Sequence, residues 1–314
     1  MTTPLRLGTR RSPLATAQSQ LVADAVSVAA DRPVELVFVT TAGDTSTDSL
    51  RQIGGTGVFV SALRDAVVSG QVDLAVHSLK DLPTAAAAGL VLAALPVRDD
   101  PRDALVARDG LTLQTLPAGA RVGTGSPRRA AQLAAIRPDL EVVDIRGNVE
   151  TRLAFVTDGV LDGVLLAHAG LRRLGRAGSV TEVIDPEVML PAPGQGALAI
   201  ETADSVESAD SALMSALRSI DDPATRAAVT AERAVLSALE AGCSAPVGAL
   251  AVVDEPGFHT PELTVRAFVG SADGRHAQRL SITAPLADAE AAGRQLAAKL
   301  LDAGAAAFLG EPAL

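Results

Sequence analysis

The 314-residue sequence has no tryptophan, no tyrosine and only six phenylalanines. Stacking platforms for nucleic-acid bases are therefore scarce, and a net charge of −10 argues further against a general polyanion binder. Cys243 is the only cysteine, so no internal disulfide can form, which fits a reducing compartment. Four scattered histidines and one thiol offer no metal-ligand spacing, and no metal site is expected. No apolar run reaches the roughly 18 residues that a membrane span needs. The segment Met1-Thr2-Thr3-Pro4-Leu5-Arg6 lacks the apolar stretch of a secretory signal, so a cytoplasmic protein without membrane partners is expected. Lysine is nearly missing too: Lys80 and Lys299 stand against 25 arginines.

What is present can bury a sizeable core, since 48% of the residues are hydrophobic and 20% charged. At about 100–150 residues per domain, the length implies two or three domains. Charge is uneven: residues 121–176 carry nine basic and six acidic groups, a positive stretch in an acidic chain. Such a stretch suits an anionic small molecule better than a nucleic acid.

The first half alternates strands and helices. Leu5–Thr9 reads as a strand, Ser12-Pro13 opens a helix, Val34–Thr40 is a β-branched strand, Val58–Ser69 a helix and Val72–His77 a short buried strand. Between them, Gly43–Gly57 is polar and glycine-rich and reads as a loop. Asp99-Asp100-Pro101-Arg102-Asp103 marks a first boundary. Strands at 120–123, 141–145 and 162–167 then alternate with helices at 127–136, 149–157 and 169–175. Leu190-Pro-Ala-Pro-Gly-Gln-Gly196 is a second break, after which the lone strand Ala197–Glu201 returns to the first sheet. Two helices (205–219, 223–241), three strands (247–253, 262–269, 275–284) and a final helix (286–303) follow. The reading is an α/β clamshell: one lobe over 1–98 completed by 196–215, a second over 99–195, and a small C-terminal α+β domain over 216–314 with a three-stranded antiparallel sheet.

Three groups of residues could carry chemistry. In Gly123-Thr124-Gly125-Ser126-Pro127-Arg128-Arg129, Ser126 can cap a helix whose N–H groups attract anions, and two arginines at that mouth can grip carboxylates. The reading also expects these arginines to be removable with the fold intact. Ile145-Arg146-Gly147-Asn148, with Arg152 in the following turn, repeats the design, and Arg172-Arg173 follow a third strand. His77-Ser78-Leu79-Lys80-Asp81 ends a strand with a carboxylate and an ammonium in one turn, a candidate acid–base pair. Cys243 sits in the loop Ala241-Gly242-Cys243-Ser244-Ala245-Pro246, a candidate reactive or derivatised thiol, whereas His168 reads as a core histidine.

Taken together, these segments resemble the hydroxymethylbilane synthase (porphobilinogen deaminase) family. The resemblance rests on Gly8-Thr-Arg-Arg-Ser-Pro-Leu-Ala15, Ala75-Val-His-Ser-Leu-Lys-Asp-Leu-Pro83, Asp100-Pro-Arg-Asp-Ala104, Val122-Gly-Thr-Gly-Ser-Pro-Arg-Arg129 and Ile145-Arg-Gly-Asn148. It continues through Ala169-Gly-Leu-Arg-Arg-Leu-Gly175, Leu190-Pro-Ala-Pro-Gly-Gln-Gly-Ala197, Ala231-Glu-Arg-Ala234 and Gly242-Cys-Ser-Ala-Pro-Val-Gly248. It implies two lobes like those of type II periplasmic binding proteins plus the C-terminal domain. It also implies condensation of four porphobilinogen molecules, with loss of ammonia, on a covalent dipyrromethane cofactor held by a thioether to Cys243. Asp81 matches the family's catalytic carboxylate. Arg10, Ser12, Ser78, Lys80, Thr124, Ser126, Arg128, Arg129, Arg146, Asn148, Arg152 and Arg173 match positions that hold the carboxylates of cofactor and substrate. A monomer is expected. The loop before residue 57 departs from many relatives, with Gln52 and Thr56 where lysines are common.

Overall fold

The computed structural model describes residues 3–40, 57–241, 245–254, 261–271 and 273–309. β1 (Leu5–Thr9) runs into α1 (Pro13–Ala30), whose first turn is closed by Ser12 Oγ accepting the Ala15 N–H. β2 (Val34–Phe38), α2 (Gly57–Val68), β3 (Leu74–Ser78) and β4 (Leu90–Ala94) follow. Next come β5 (Asp103–Ala107), β6 (Arg121–Gly123), α3 (Pro127–Ile136), β7 (Glu141–Val143), α4 (Val149–Thr157), β8 (Gly163–Ala167), α5 (His168–Arg173) and β9 (Glu182–Val183). The chain continues with β10 (Leu198–Ala203), α6 (Val206–Ala209), α7 (Ser211–Ile220) and α8 (Pro223–Ala238). It ends with β11 (Val247–Val253), β12 (Glu262–Gly270), β13 (Ala277–Pro285), α9 (Ala289–Asp302) and α10 (Ala306–Leu309).

Contacts divide the chain into two units, Met1–Asp99 with Ala197–Arg226 and Asp100–Gly196 with Ala227–Leu314. The sheet of the first unit has the order β2-β1-β3-β10-β4, with β1 parallel to β2 and β3, and β10 antiparallel to β3 and β4. The α/β sheet of the second unit repeats the plan as β7-β6-β8-β5-β9, with β5 as the antiparallel strand. Each sheet thus takes its reversed fourth strand from the segment next to a chain crossing, so the two α/β lobes share one plan. The second unit also holds the antiparallel sheet β11-β12-β13, covered by α8 and α9 around Val235, Val265 and Leu296.

The lobe sheets are buried on both faces. Along β8, Leu165 joins one cluster with Leu105, Val122 and Leu133, while Val164 and Leu166 join another with Val106, Ile145 and Leu171. Runs of apolar residues without alternation are what such strands require. Three strands were not anticipated from sequence: β4, β9 and β5, which begins inside the polar 99–103 break at the fully buried Asp103. Among the described residues, no helix is long and apolar enough to cross a membrane, and no group of three or more His, Cys, Asp or Glu could hold a metal ion.

In the first unit, Glu201 of β10 is 5% exposed and accepts two hydrogen bonds from Arg64 of α2, at 2.9 and 2.7 Å. His77 Nε2 of β3 lies 3.2 Å from Oε2, the oxygen that also accepts from Arg64 Nε. Burial alone would raise the Glu201 carboxyl, but His77 and Arg64 bring it from 4.5 down to about 2. A depressed folded-state value means stability present at neutral pH that fades as pH falls through it. Glu201→Gln should therefore cost about 1.5–3 kcal/mol at pH 7, with the gap to wild type closing between pH 4.5 and 2. Urea unfolding across that range checks it, and a gap independent of pH would contradict it.

Candidate active site

In the first unit, side chains of interest collect where β1, α1 and β3 end. Ser78 Oγ, at the last residue of β3, donates to Oε1 of the buried Gln18 on α1 at 3.2 Å. One residue along, Ser19 Oγ donates to Thr9 Oγ1 at 2.7 Å, so the polar face of α1 is tied to both strand ends. After Ser78 the backbone makes one 3-10 turn, Leu79–Asp81. Leu79 is fully buried, and its N–H donates to the Ala197 carbonyl at 3.0 Å. The anchored turn leaves Lys80 half-buried and presents Asp81 exposed, with Arg10 and Ser12 half-buried at the start of α1.

In the second unit, the loops after β6 and β7 touch. A Cβ on Gly125 would stand 2.6 Å from the Ile145 carbonyl oxygen, so that position requires glycine, while one on Gly123 would meet the side-chain ends of Leu161 and Ile145. Thr124, itself buried, accepts the Ser126 N–H at 3.1 Å, and Ser126 caps α3 by accepting the Arg129 N–H. The two arginines that follow turn inward. Arg128 is 3% and Arg129 5% exposed, and both meet Asp103. Asp103 Oδ2 accepts from Arg128 Nη1 at 2.7 Å, and Oδ1 accepts from Arg129 Nε and Nη2 at 2.9 and 2.7 Å. Burial alone would raise the Asp103 carboxyl, but both arginines hold it well below the usual carboxylate range. Gln195 Nε2 adds a bond to Asp103 Oδ1 at 2.8 Å and another to the Pro101 carbonyl.

The sequence placed these two arginines at the helix mouth to grip carboxylates, and in the structure both turn inward. Their first carboxylate partner is in the chain, because a buried aspartate needs counter-charge and the helix start supplies two. Two cations against one anion leave a net positive charge, and Arg128 Nε, buried, has no hydrogen-bond partner. The expectation that either arginine is removable with the fold intact falls with it.

The remaining cations of this unit are more open. Arg146 is exposed and reaches Asp144 at 3.3 Å, while Asn148 caps α4 by accepting the Thr151 N–H at 2.9 Å. Arg152 Nε donates to the Gly147 carbonyl at 2.9 Å. Burial, and then the like charges of Arg129 and Arg146, lower the Arg152 guanidinium from its ordinary value, with Asp144 opposing. Arg173, at the end of α5, donates to the Gly196 carbonyl. Two capped helix starts and a cluster of arginines in mutual repulsion form a surface that favours anions.

Cys243 and the loop positions Gln52 and Thr56 lie outside the described residues. His168 Nδ1 sits 3.0 Å from Asp100 Oδ2, a partnered histidine as read. Sequence reasoning missed the supporting residues Gln18, Asp103, Gln132 and Gln195. Asp103 and Gln195 fell within quoted segments, but nothing local pointed to their partners.

Burial separates the arginines. Asp103→Asn should cost about 3–5 kcal/mol by leaving two cations without their counter-charge. Arg146→Leu should stay within about 0.5 kcal/mol of wild type. Chemical denaturation ranks them, and equal stabilities would contradict the assignment.

The sequence model of the family described as porphobilinogen deaminase, dipyromethane cofactor binding domain matches residues 5–211, and that of its C-terminal domain matches 226–302. Porphobilinogen deaminase 1 of Streptomyces coelicolor is 58% identical over 98% of this chain and 98% of its own. Porphobilinogen deaminase of Nocardia farcinica is 55% identical over 99% of this chain and 89% of its own. Among solved structures, a periplasmic binding protein of Salmonella typhimurium with high arginine specificity is 16% identical at a TM-score of 0.39, over 70% of this chain and 93% of its own. A substrate-binding domain of an amino acid transporter from Streptococcus pneumoniae is 12% identical at 0.44, over 69% and 93%. The matched segments cover both lobes and the C-terminal sheet, and the chain belongs to the porphobilinogen deaminase family, the enzymes that assemble a linear tetrapyrrole from porphobilinogen on a dipyrromethane cofactor.

Proposed function

We propose that Asp81 is the catalytic carboxylate of this enzyme, that Cys243 carries the dipyrromethane by a thioether, and that the arginine cluster of the second unit holds pyrrole carboxylates. The observation that carries the reading is the local surplus of positive charge over residues 121–176 of an acidic chain. Arg128 has a buried N–H with no partner, and Arg152 is crowded by Arg129 and Arg146. Both features fit a ligand that brings carboxylates, and each pyrrole brings an acetate and a propionate. The covalent dipyrromethane supplies a tethered primer onto which pyrrole units are added.

The residues divide the work. Arg146, Arg152 and Arg173 provide planar guanidinium donors for carboxylates, Arg128 and Arg129 add positive charge behind them, and the hydroxyls of Thr124 and Ser126 and the amide of Asn148 join them. In the first unit Arg10, Ser12, Lys80 and Ser78 hold carboxylates, Ser78 from a rotamer other than the one in which its hydroxyl donates to Gln18. At each addition one carbon–nitrogen bond breaks, ammonia leaves, and one carbon–carbon bond forms. Loss of ammonia leaves the substrate's methylene carbon electron-poor. Asp81, carried on an anchored turn, sets a negative charge against it and accepts and returns a pyrrole proton at its carboxylate. The single cysteine supports a reducing, cytoplasmic setting, and a monomer of three modules, 1–98 with 196–215, 99–195 and 216–314, completes the reading.

Asp81→Asn keeps size and packing and removes only the charge. Turnover should fall about a hundred- to a thousandfold, with porphobilinogen binding retained and Asp81→Glu milder. Ammonia release and hydroxymethylbilane formation measure it. An Asp81→Asn enzyme within a few-fold of wild type would remove Asp81 from the mechanism.

A further inference from the structure

Arg279 lies on β13 of the C-terminal sheet, far along the chain from any residue assigned to the site. Its guanidinium stands 5.6 Å from the Phe268 ring centroid and donates to the carbonyls of Glu187 and Val188. It also donates from Nη2 to Gln132 Oε1 at 2.9 Å. Gln132, on α3 one turn after Arg128, is 1% exposed and fully used. Its Oε1 also accepts the Leu190 N–H at 2.8 Å, and its Nε2 donates to the Leu190 carbonyl at 2.9 Å. That same carbonyl accepts Arg128 Nη1 at 2.6 Å. An unbroken series of hydrogen bonds therefore runs from Arg279 through Gln132 and Leu190 to the buried arginine.

The neighbourhood holds the segment in place from the same side. The Ala249 N–H of β11 donates to the Pro191 carbonyl at 3.0 Å, and a Cβ on Gly248 would stand 2.9 Å from the Leu190 carbonyl oxygen. Gly274, in the β12–β13 turn, packs against α3 so closely that a Cβ there would meet the Ala131 carbonyl oxygen at 2.7 Å. The acceptor that orients Arg128 is thus set by the C-terminal sheet as well as by the lobe that carries the arginine.

We propose that Arg279 is a positioning residue for carboxylate recognition, acting through Gln132 and the Leu190 carbonyl to fix the orientation of the Arg128 guanidinium. The proposal rests on the reading that these arginines hold pyrrole carboxylates. It assigns the C-terminal sheet a share in substrate affinity, distinct from carrying the cofactor cysteine.

The test is steady-state kinetics on holoenzyme, with porphobilinogen as the probe and cofactor occupancy checked by intact mass. Arg279→Met keeps the stem over Phe268 and removes the donors. Gln132→Glu keeps an acceptor for Arg279 but turns a carboxylate oxygen toward the Leu190 carbonyl. Both should raise KM about three- to tenfold, the size of one hydrogen bond, with kcat within about twofold. Arg279→Lys, which keeps charge and reach, should restore much of the KM. If Arg279 only latched the sheet to the lobe, Gln132→Glu would leave KM alone and Arg279→Met would lower only the melting temperature. A wild-type KM in Arg279→Met overturns the proposal whatever happens to stability, and if that variant does not fold, a wild-type KM in Gln132→Glu does so. Arg146→Leu separates the premises: a wild-type KM there sinks the carboxylate reading itself, whereas a raised KM there beside a normal Arg279→Met sinks the relay alone.

Discussion

Asp103 is a carboxylate with no exposure to water, and the second unit is arranged around the need to neutralise it. Two guanidinium groups from the first turn of α3 reach it, and Gln195 closes the remaining side. A lone buried carboxylate would be expelled or protonated. Here it instead ties the start of β5, the start of α3 and the 190–196 loop to one point. The geometry also sets the electrostatics of the site. One anion among two cations leaves surplus positive charge, which the like-charged Arg146 and Arg152 enlarge. The ion triad is therefore a structural knot that keeps an uncompensated positive charge beside Arg146 and Arg152.

That arrangement explains why arginines of one motif behave differently. Arg128 and Arg129 follow each other in sequence and spend most of their donors inside the protein. Arg146 sits at the end of the next strand and is open to solvent. Their division follows from distance to Asp103, not from residue type. A two-lobed fold of this order can serve binding proteins as well as enzymes, so the fold alone does not select catalysis. Membership of the porphobilinogen deaminase family does.

Local signals in the sequence were enough for much of the fold. Ser126-Pro127 and Asn148 mark helix starts because capping is decided within four residues, and both helices run from 127 to 136 and from 149 to 157 as read. The return of β10 to the first sheet was legible because an isolated strand cannot bury itself. β5 was not, since Asp103 stands in a run of charges that resembles surface. Its partners lie 25, 26 and 92 residues away, beyond any local pattern. Arg128 and Arg129 stood out in the sequence as a pair at a helix start, while their burial depended on those distant partners. Gln132 and Arg279, 147 residues apart, were invisible for the same reason.

At the centre of this account is a chain that builds tetrapyrrole on a primer attached to its one thiol. Intact mass of the protein as purified, under denaturing conditions, tests that most directly. Wild-type protein should be heavier than its sequence by two pyrrole units, and Cys243→Ser should have the mass of the bare chain. Fully active enzyme with an unmodified, alkylatable Cys243 would contradict the account.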